Sequence, residues 1–315
     1  MSGADHRARL RALLDAPGAA IVPGAPDALT ARLVEQAGFP AVYLSGAGFA
    51  NVELGVPDVG LVSLTEIAEQ TERIREAVDI PLVVDADTGF GGPLNVHRTV
   101  KLLERRGASA LQLEDQVFPK RCGHFEGKEV VSAADMVARL HAAVDARTDE
   151  NLIIIGRTDA RATDGLDEAI ERALRYKEAG ADVLFVEAPR DRAEIERVAR
   201  ELPGPLLLNI VEGGRTPMIP ADELGALGYS LVLYANAAMR GAMRGAQLVL
   251  ASLREHGESR HVLDAMIGWS ERQTLVNKPA YDALEQRYRV SPDASPDVSP
   301  DVTPDGARPE ASHAL

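Results

Sequence analysis

Cysteine is almost missing from this chain: Cys122 is the only one among 315 residues. One thiol excludes an intramolecular disulfide framework and any multi-cysteine zinc site. Positive charge is also short, with 34 Lys and Arg against 48 Asp and Glu, a net charge of −14. That balance argues against a nucleic-acid partner, because phosphate contacts need a basic face. No apolar run approaches the ~20 residues that span a bilayer. The first residues, M-S-G-A-D-H-R-A-R-L, lack the apolar core of a signal peptide. No membrane partner and a cytoplasmic address are therefore the expectations. No G-x-G-x-x-G opens a helix after a strand, so a dinucleotide fold would lack its phosphate turn. What remains is an ordinary globular composition, 45% hydrophobic, enough for a sizeable core.

One pattern recurs along that core. A helical stretch closes on glycine, and a short apolar strand follows. Residues 28–37 close at Gly38 before 41–44, and 96–106 close at Gly107 before 110–113. Residues 166–179 close at Gly180 before 183–186, and 224–227 close at Gly228 before 231–234. Glycine just past a helix takes the left-handed conformation that other residues resist. Further strands are expected at 20–23, 82–85, 152–156 and 206–208. Val-, Leu- and Ile-rich strands with little alternation are buried on both faces, as in a parallel sheet. Eight such βα units predict an α/β (β/α)8 TIM-type barrel, with a doubly wound open sheet as the alternative.

Two connections, 51–63 and 116–132, are long for a compact domain, and loops of that length are usually functional. Residues 237–256 read as one long helix and 270–288 as another. They exceed what eight units need and could pack on a partner subunit. From Ser291 the chain repeats Ser/Thr-Pro-Asp, which offers few apolar groups and blocks helix and sheet. The expected organisation is residues 1–290 as a barrel with a C-terminal helical extension, and 291–315 as a disordered tail.

In a βα barrel, the C-terminal ends of the strands build the active site. Those ends carry Tyr43 to Gly46, Asp85 and Asp87, Glu114 and Asp115, Arg157 to Asp159, Glu187 and Asn209. Asp85, Asp87 and Glu114 would converge on one mouth and repel each other unless a cation sits among them. Hard oxygen ligands without histidine suit Mg²⁺ or Mn²⁺; the plainer reading is a set of solvated acidic loop ends. Arg157 and Asn209 can hold a substrate carboxylate or a developing oxyanion, although Arg157 could instead pair with Glu187 across the mouth. The amides of Ser45, Gly46 and Ala47 could receive another carboxylate, or form a simple turn. After strand four the chain runs through Pro119 into Lys120, Arg121, Cys122, Gly123 and His124. Flanking cations would lower the pKa of the Cys122 thiol. A buried structural cysteine is the alternative, but this polar, Gly- and Pro-broken neighbourhood argues against burial. Together these groups suit a divalent metal on a 2-oxo acid or its enolate, with a thiol as acid or base.

At these residues the chain resembles the isocitrate lyase and phosphoenolpyruvate mutase superfamily, from about residue 8 to 288. The marks are Y-L-S-G at 43–46, G-V-P-D at 55–58, D-A-D-T-G-F-G at 85–91, L-E-D-Q at 113–116 and K-R-C-G-H at 120–124. I-I-G-R-T-D-A at 154–160 and N-I-V-E-G-G-R-T-P at 209–217 also match. The cysteine loop is similar to that of the 2-methylisocitrate and 2,3-dimethylmalate lyase branch, and also to carboxyphosphonoenolpyruvate phosphonomutase. Two departures stand out: Ala47 where the lyases often have Gly, and Y-A-N-A-A at 234–238 in place of Y-P-L-S.

The resemblance implies that Asp85 is a direct Mg²⁺ ligand, with Asp58, Asp87 and Glu114 holding its waters. It implies that Ser45, Gly46 and Ala47 bind the carboxylate of the 2-oxo acid. Gly123, His124 and Asn209 would grip a second carboxylate, with Thr216 of the 209–217 segment also binding substrate. Tyr43 would take the hydroxyl proton or stabilise the alkoxide, Arg157 with Glu187 would orient the substrate, and Cys122 would protonate the leaving carbanion. It further implies a homotetramer with exchanged C-terminal helices. The expected function is a Mg²⁺-dependent carbon–carbon lyase that splits a 2-hydroxy di- or tricarboxylate into a 2-oxo acid such as pyruvate and a carboxylate. The alternatives are a phosphonomutase, an oxaloacetate decarboxylase or hydrolase, and a barrel that binds metabolites without catalysis.

Overall fold

The unalternated Val, Leu and Ile runs become eight short strands in the computed structural model, which describes residues 3–121, 123 and 127–289. The strands are β1 (Ala20–Pro23), β2 (Val42–Leu44), β3 (Leu82–Asp85), β4 (Ala110–Glu114), β5 (Ile153–Thr158), β6 (Val183–Val186), β7 (Leu206–Asn209) and β8 (Leu231–Tyr234). The sheet order is β1-β8-β7-β6-β5-β4-β3-β2, with every pairing parallel. A parallel bridge between Gly24 and Tyr43 joins the two ends, so the ring is nearly closed. A doubly wound sheet would reverse direction in its strand order. This one does not, and the barrel expectation holds.

The helices that alternate with these strands are α1 (Gly3–Asp15), α2 (Ala28–Gln36), α3 (Gly46–Glu53), α4 (Leu64–Ala77), α5 (Pro93–Arg105), α6 (Ala133–Ala146), α7 (Ala160–Thr163), α8 (Leu166–Glu178), α9 (Arg192–Glu201) and α10 (Ala221–Leu227). Beyond β8 come α11 (Ala237–His256), a 3₁₀ turn (Arg260–Ala265) and α12 (Trp269–Leu275). Side chains start several of these helices. Ser63 and Glu66 form a reciprocal capping box on α4, and Asp27, Ser132 and Asp191 accept amide bonds at α2, α6 and α9. The expected closing glycines, Gly38, Gly107, Gly180 and Gly228, all stand at positive φ.

Two expectations need correction. The connection expected over 51–63 begins later, because Ser45 caps α3 and the helix continues to Glu53. The single helix expected over 270–288 is broken. The chain divides after Val276, and a second unit beginning at Asn277 holds α13 (Lys278–Tyr288). Asn277 adopts φ +58, a left-handed conformation that no helix interior accepts, and Pro279 follows in the first turn of α13.

The core has two layers. One lies between the sheet and the helices, with Val84, Leu111, Ile154, Val186 and Val232 facing Ile67, Leu103, Leu140 and Tyr176. The other fills the ring, through Val22, Val83, Ile153, Ile155, Phe185, Leu207 and Leu231. Leu10 and Leu14 of α1 belong to the inner layer, so α1 covers the N-terminal mouth of the barrel. Burying each of these side chains contributes about 1.5–3 kcal/mol relative to exposure. Polar groups are thereby left to the opposite, C-terminal mouth.

Candidate active site

Strand register brings the acidic strand ends together. Asp85 pairs with Gln112, and Glu114 with Arg157, across β3, β4 and β5. Glu187 and Asn209 follow on β6 and β7 at the same level, and Ser45 opens the mouth after β2. All of these residues except Gln112 line a cavity of about 250 Å³. Tyr43, Ala47, Asp58, Gly123, Lys120, Arg121, Glu212 and Asn236 also reach it. Thr216 is buried but is not among the lining residues. Cys122, His124 and the tail from Ser291 lie outside the described residues.

Asp85 is held by three donors: the Gly46 amide at 3.3 Å, the Asp87 amide at 3.1 Å and Gln112 Nε2 at 3.2 Å. The Gly46 amide, expected to receive a substrate carboxylate, is thus turned toward Asp85. Gly46 also has to be small, since a Cβ there would lie 3.1 Å from Asp87 Oδ1 and 3.3 Å from Asp85 Oδ2. The Ser45 hydroxyl accepts from the Gly48 amide at 3.0 Å and donates to Asn236 Oδ1 at 3.3 Å. Asp87 at φ +47 and Ala188 at φ +55 both adopt a conformation that non-glycine residues rarely take. Backbone strain of this kind collects at functional sites.

Excess negative charge dominates this side of the cavity. Lys120 Nζ lies 2.5 Å from Asp58 Oδ1 and 2.7 Å from Asp87 Oδ1. Lys120 and Arg157 together do not balance Asp58, Asp85, Asp87 and Glu114. Burial raises the Asp87 carboxyl to about 7 against the pull of Lys120, and the charges of Asp85 and Asp58 add to the rise. Burial likewise pushes Glu114 well above the carboxylate range, against the neighbouring Arg157. Glu114 Oε1 is buried without a hydrogen-bond partner among the described residues. Crowded, buried oxygen donors of this sort fit a hard divalent cation. Among the described residues no three such groups stand in a ready ligand set.

The other side of the cavity is built on Arg157. Its guanidinium stacks over the Phe185 ring at 5.2 Å. Nε and Nη2 donate to Asp159 at 2.9 and 3.2 Å, and Nη1 lies 3.3 Å from Glu114 Oε2. Glu187 Oε2 is 3.8 Å from Nη2, and Asn209 Nδ2 donates to Glu187 Oε1 at 3.5 Å. Both readings of Arg157 therefore meet in one place, since it faces the cavity while pairing with carboxylates. Tyr43 is buried, and that burial pushes its hydroxyl well above the ordinary phenol range. It is a neutral phenol that donates to Gln112 Oε1 at 3.1 Å.

Gly123 packs directly on this cluster. A Cβ there would lie 2.5 Å from Arg157 Nη2 and 2.7 Å from Glu187 Oε1. Lys128 reaches back to the Gly123 carbonyl and to Asp159 Oδ1. The sequence placed Lys120 and Asp159 beside the site, in the 120–124 segment and at the end of β5, without a role for either, and gave Lys128 and Gln112 no place in it. Asp159 carried one signal, its position two residues after Arg157 at a strand end. For the lysines the sequence named no carboxylate partner, because those partners are 31 or more residues away.

Comparison with known proteins agrees with this geometry. A family model described as phosphoenolpyruvate phosphomutase matches residues 10–254. The chain is similar to a 2,3-dimethylmalate lyase of Eubacterium barkeri, 43% identical over 281 residues, covering 89% of this chain and 97% of that protein. It is also similar to a 2-methylisocitrate lyase of Aeropyrum pernix, 42% identical over 273 residues, covering 87% and 88%. Among solved structures, oxaloacetate acetylhydrolase in complex with the inhibitor 3,3-difluorooxalacetate superposes with a TM-score of 0.85 at 33% identity, covering 91% of this chain and 97% of that one. The barrel, the acidic mouth and these likenesses over most of its length lead to one conclusion: the chain belongs to the phosphoenolpyruvate phosphomutase family, within the PEP mutase/isocitrate lyase superfamily.

Proposed function

We propose that this protein is a Mg²⁺-dependent carbon–carbon lyase that cleaves a 2-hydroxy di- or tricarboxylate into a 2-oxo acid, such as pyruvate, and a carboxylate. The observation that carries this reading is the division of one cavity into two halves. One half is a buried carboxylate cluster in need of a cation, and the other presents Arg157. Asp85 would hold the metal directly, with Asp58, Asp87 and Glu114 holding its waters. When bound, Mg²⁺ supplies positive charge beside the oxygens of the 2-oxo acid as they gain electron density.

The remaining work falls to side chains. Arg157 fixes a substrate carboxylate through the N–H groups that Asp159 leaves open, with Glu187 beside it. Asn209, whose Oδ1 is buried without a hydrogen-bond partner among the described residues, faces the same space. Because Tyr43 stays protonated, the second of its two expected roles is the better supported. It donates a hydrogen bond to the substrate oxygen, and the proton of that hydroxyl passes to a carboxylate of the cavity, Glu187. Cys122, adjacent to Gly123, would then protonate the carbon released by C–C cleavage.

The test is pyruvate release coupled to NADH oxidation, with 2,3-dimethylmalate and 2-methylisocitrate offered in parallel, each with an EDTA control. EDTA-sensitive pyruvate from either, lost in Cys122→Ser with binding retained, is the expected result. Normal turnover by Cys122→Ser would sink the assignment of the thiol. Oxaloacetate hydrolysis is the second reading, favoured by the likeness to oxaloacetate acetylhydrolase. Consumption of oxaloacetate with no pyruvate from either lyase substrate would replace the first reading with the second.

A further inference from the structure

Arg157 has a partner behind it as well as a cavity in front. Asp159 is fully buried and grips the Nε–Nη2 edge of the guanidinium in a fork, at 2.9 and 3.2 Å. Lys128 Nζ lies 2.7 Å from the same carboxylate, and its side chain is only 2% exposed. The ammonium also donates to the Gly123 carbonyl. Neither Asp159 nor Lys128 lines the cavity. They form a second tier that reaches the cavity through Arg157 and, for Lys128, through the Gly123 carbonyl.

We propose that Asp159 and Lys128 are positioning residues that set the direction of the Arg157 guanidinium and keep its charge available to a substrate carboxylate. Geometry supports the first half. The Phe185 ring, 5.2 Å from Cζ, gives the guanidinium an aromatic neighbour but no directional bond, and leaves it free to turn. The fork on Asp159 removes this freedom, because two parallel N–H···O bonds have one orientation. The edge formed by Nη1 and the remaining Nη2 proton is then the one presented to the cavity.

Charge supports the second half. Arg157 stands among Asp159, Glu114 and Glu187, the last two at 3.3 and 3.8 Å. Three carboxylates around one cation would repel an anionic ligand. Lys128 shares Asp159 with Arg157, so one of those negative charges is already balanced on its far side. The backbone beneath is fixed as well, since the Asp159 amide donates to buried Asp115 Oδ1 at 2.9 Å.

This inference rests on the reading that Arg157 holds a substrate carboxylate, and the experiment separates the two. The full-length chain is used throughout. Oxalate is the probe, titrated calorimetrically in the presence of magnesium chloride against the wild type and Lys128→Ala. The expected result is about tenfold weaker binding in Lys128→Ala, returned to within about threefold of wild type by ethylammonium, which refills the missing ammonium. A crystal structure of Asp159→Asn supplies the second readout and is expected to show the guanidinium turned away from its wild-type direction. Unchanged oxalate affinity in Lys128→Ala, or a loss that ethylammonium does not restore, overturns the proposal. So does an unmoved Arg157 in Asp159→Asn. If the wild type itself binds no oxalate, the carboxylate reading of the cavity fails, and the direction of Arg157 in the Asp159→Asn crystal decides the positioning role alone.

Discussion

Removal of the Asp115 carboxylate is the perturbation whose consequence can be worked most fully from the structure. Asp115 follows the last residue of β4 and has no solvent exposure. It accepts from Thr158 Oγ1 at 2.7 Å, the Asp159 amide at 2.9 Å, Tyr176 OH at 2.7 Å and Arg172 Nη1 at 3.3 Å. Burial raises its carboxyl, and the Asp159 charge adds to the rise, while these bonds pull it back. Asp115→Ala strands the Tyr176 hydroxyl and the Asp159 amide in a dry interior. Each orphaned donor costs about 1–3 kcal/mol, and Arg172 loses one of its buried acceptors. The sum is about 3–5 kcal/mol, the range measured when one partner of a buried charged pair is removed. For a chain of this size that lowers Tm by roughly 10 °C.

Tyr176→Phe removes a single bond to a charged acceptor and should cost about 1.5–3 kcal/mol. Because the two residues share that bond, the double variant should fall short of the sum by about 1 kcal/mol or more. Chemical denaturation and calorimetry measure all three. An Asp115→Ala protein within about 1 kcal/mol of wild type, or strict additivity with Tyr176→Phe, would refute the claim that this network fixes the end of β5.

Gly123→Ala places a methyl group 2.5 Å from Arg157 Nη2, so about an ångström of movement is forced on the guanidinium or the loop. Misplacement on that scale costs about a hundredfold in kcat/KM, and activity within about threefold of wild type would contradict the packing. A pH-dependent metal response is also expected. Asp87 carries a raised pKa of about 7 in the folded metal-free protein against 3.8 ordinarily, so the folded state retains a proton that the unfolded chain releases. Metal-free stability should therefore fall as pH rises from about 4 to 7. Mg²⁺ binding favours the ionised carboxylates, so the Tm gain on adding it should be larger near pH 8 than near pH 5. A gain independent of pH in differential scanning fluorimetry would remove the carboxylate cluster as the metal site.

The sequence by itself determined the ring. Unalternated strands such as Val183–Val186, and glycines such as Gly180 closing the preceding helix, are local signals, because strand burial and left-handed backbone depend on residues a few positions apart. It also placed the polar groups at one mouth, since Asp85, Glu114, Arg157 and Asn209 follow their strands directly in the chain. Where local signals conflicted, the sequence reading slipped. Residues 270–288 are helical in pattern on both sides of Asn277, and the break signalled by Pro279 sits inside that pattern.

Tertiary structure alone decided the partnerships. That Lys120 lies between Asp58 and Asp87, that Lys128 reaches Asp159, and that the Gly46 amide is taken by Asp85 follow from contacts between distant segments. Spacing along a chain carries no record of such contacts. The raised pKa of Asp87 has the same origin, because it comes from desolvation and from charges on other strands and loops. A strand and its end are properties of a segment, whereas a protonation state belongs to the assembled mouth of the barrel.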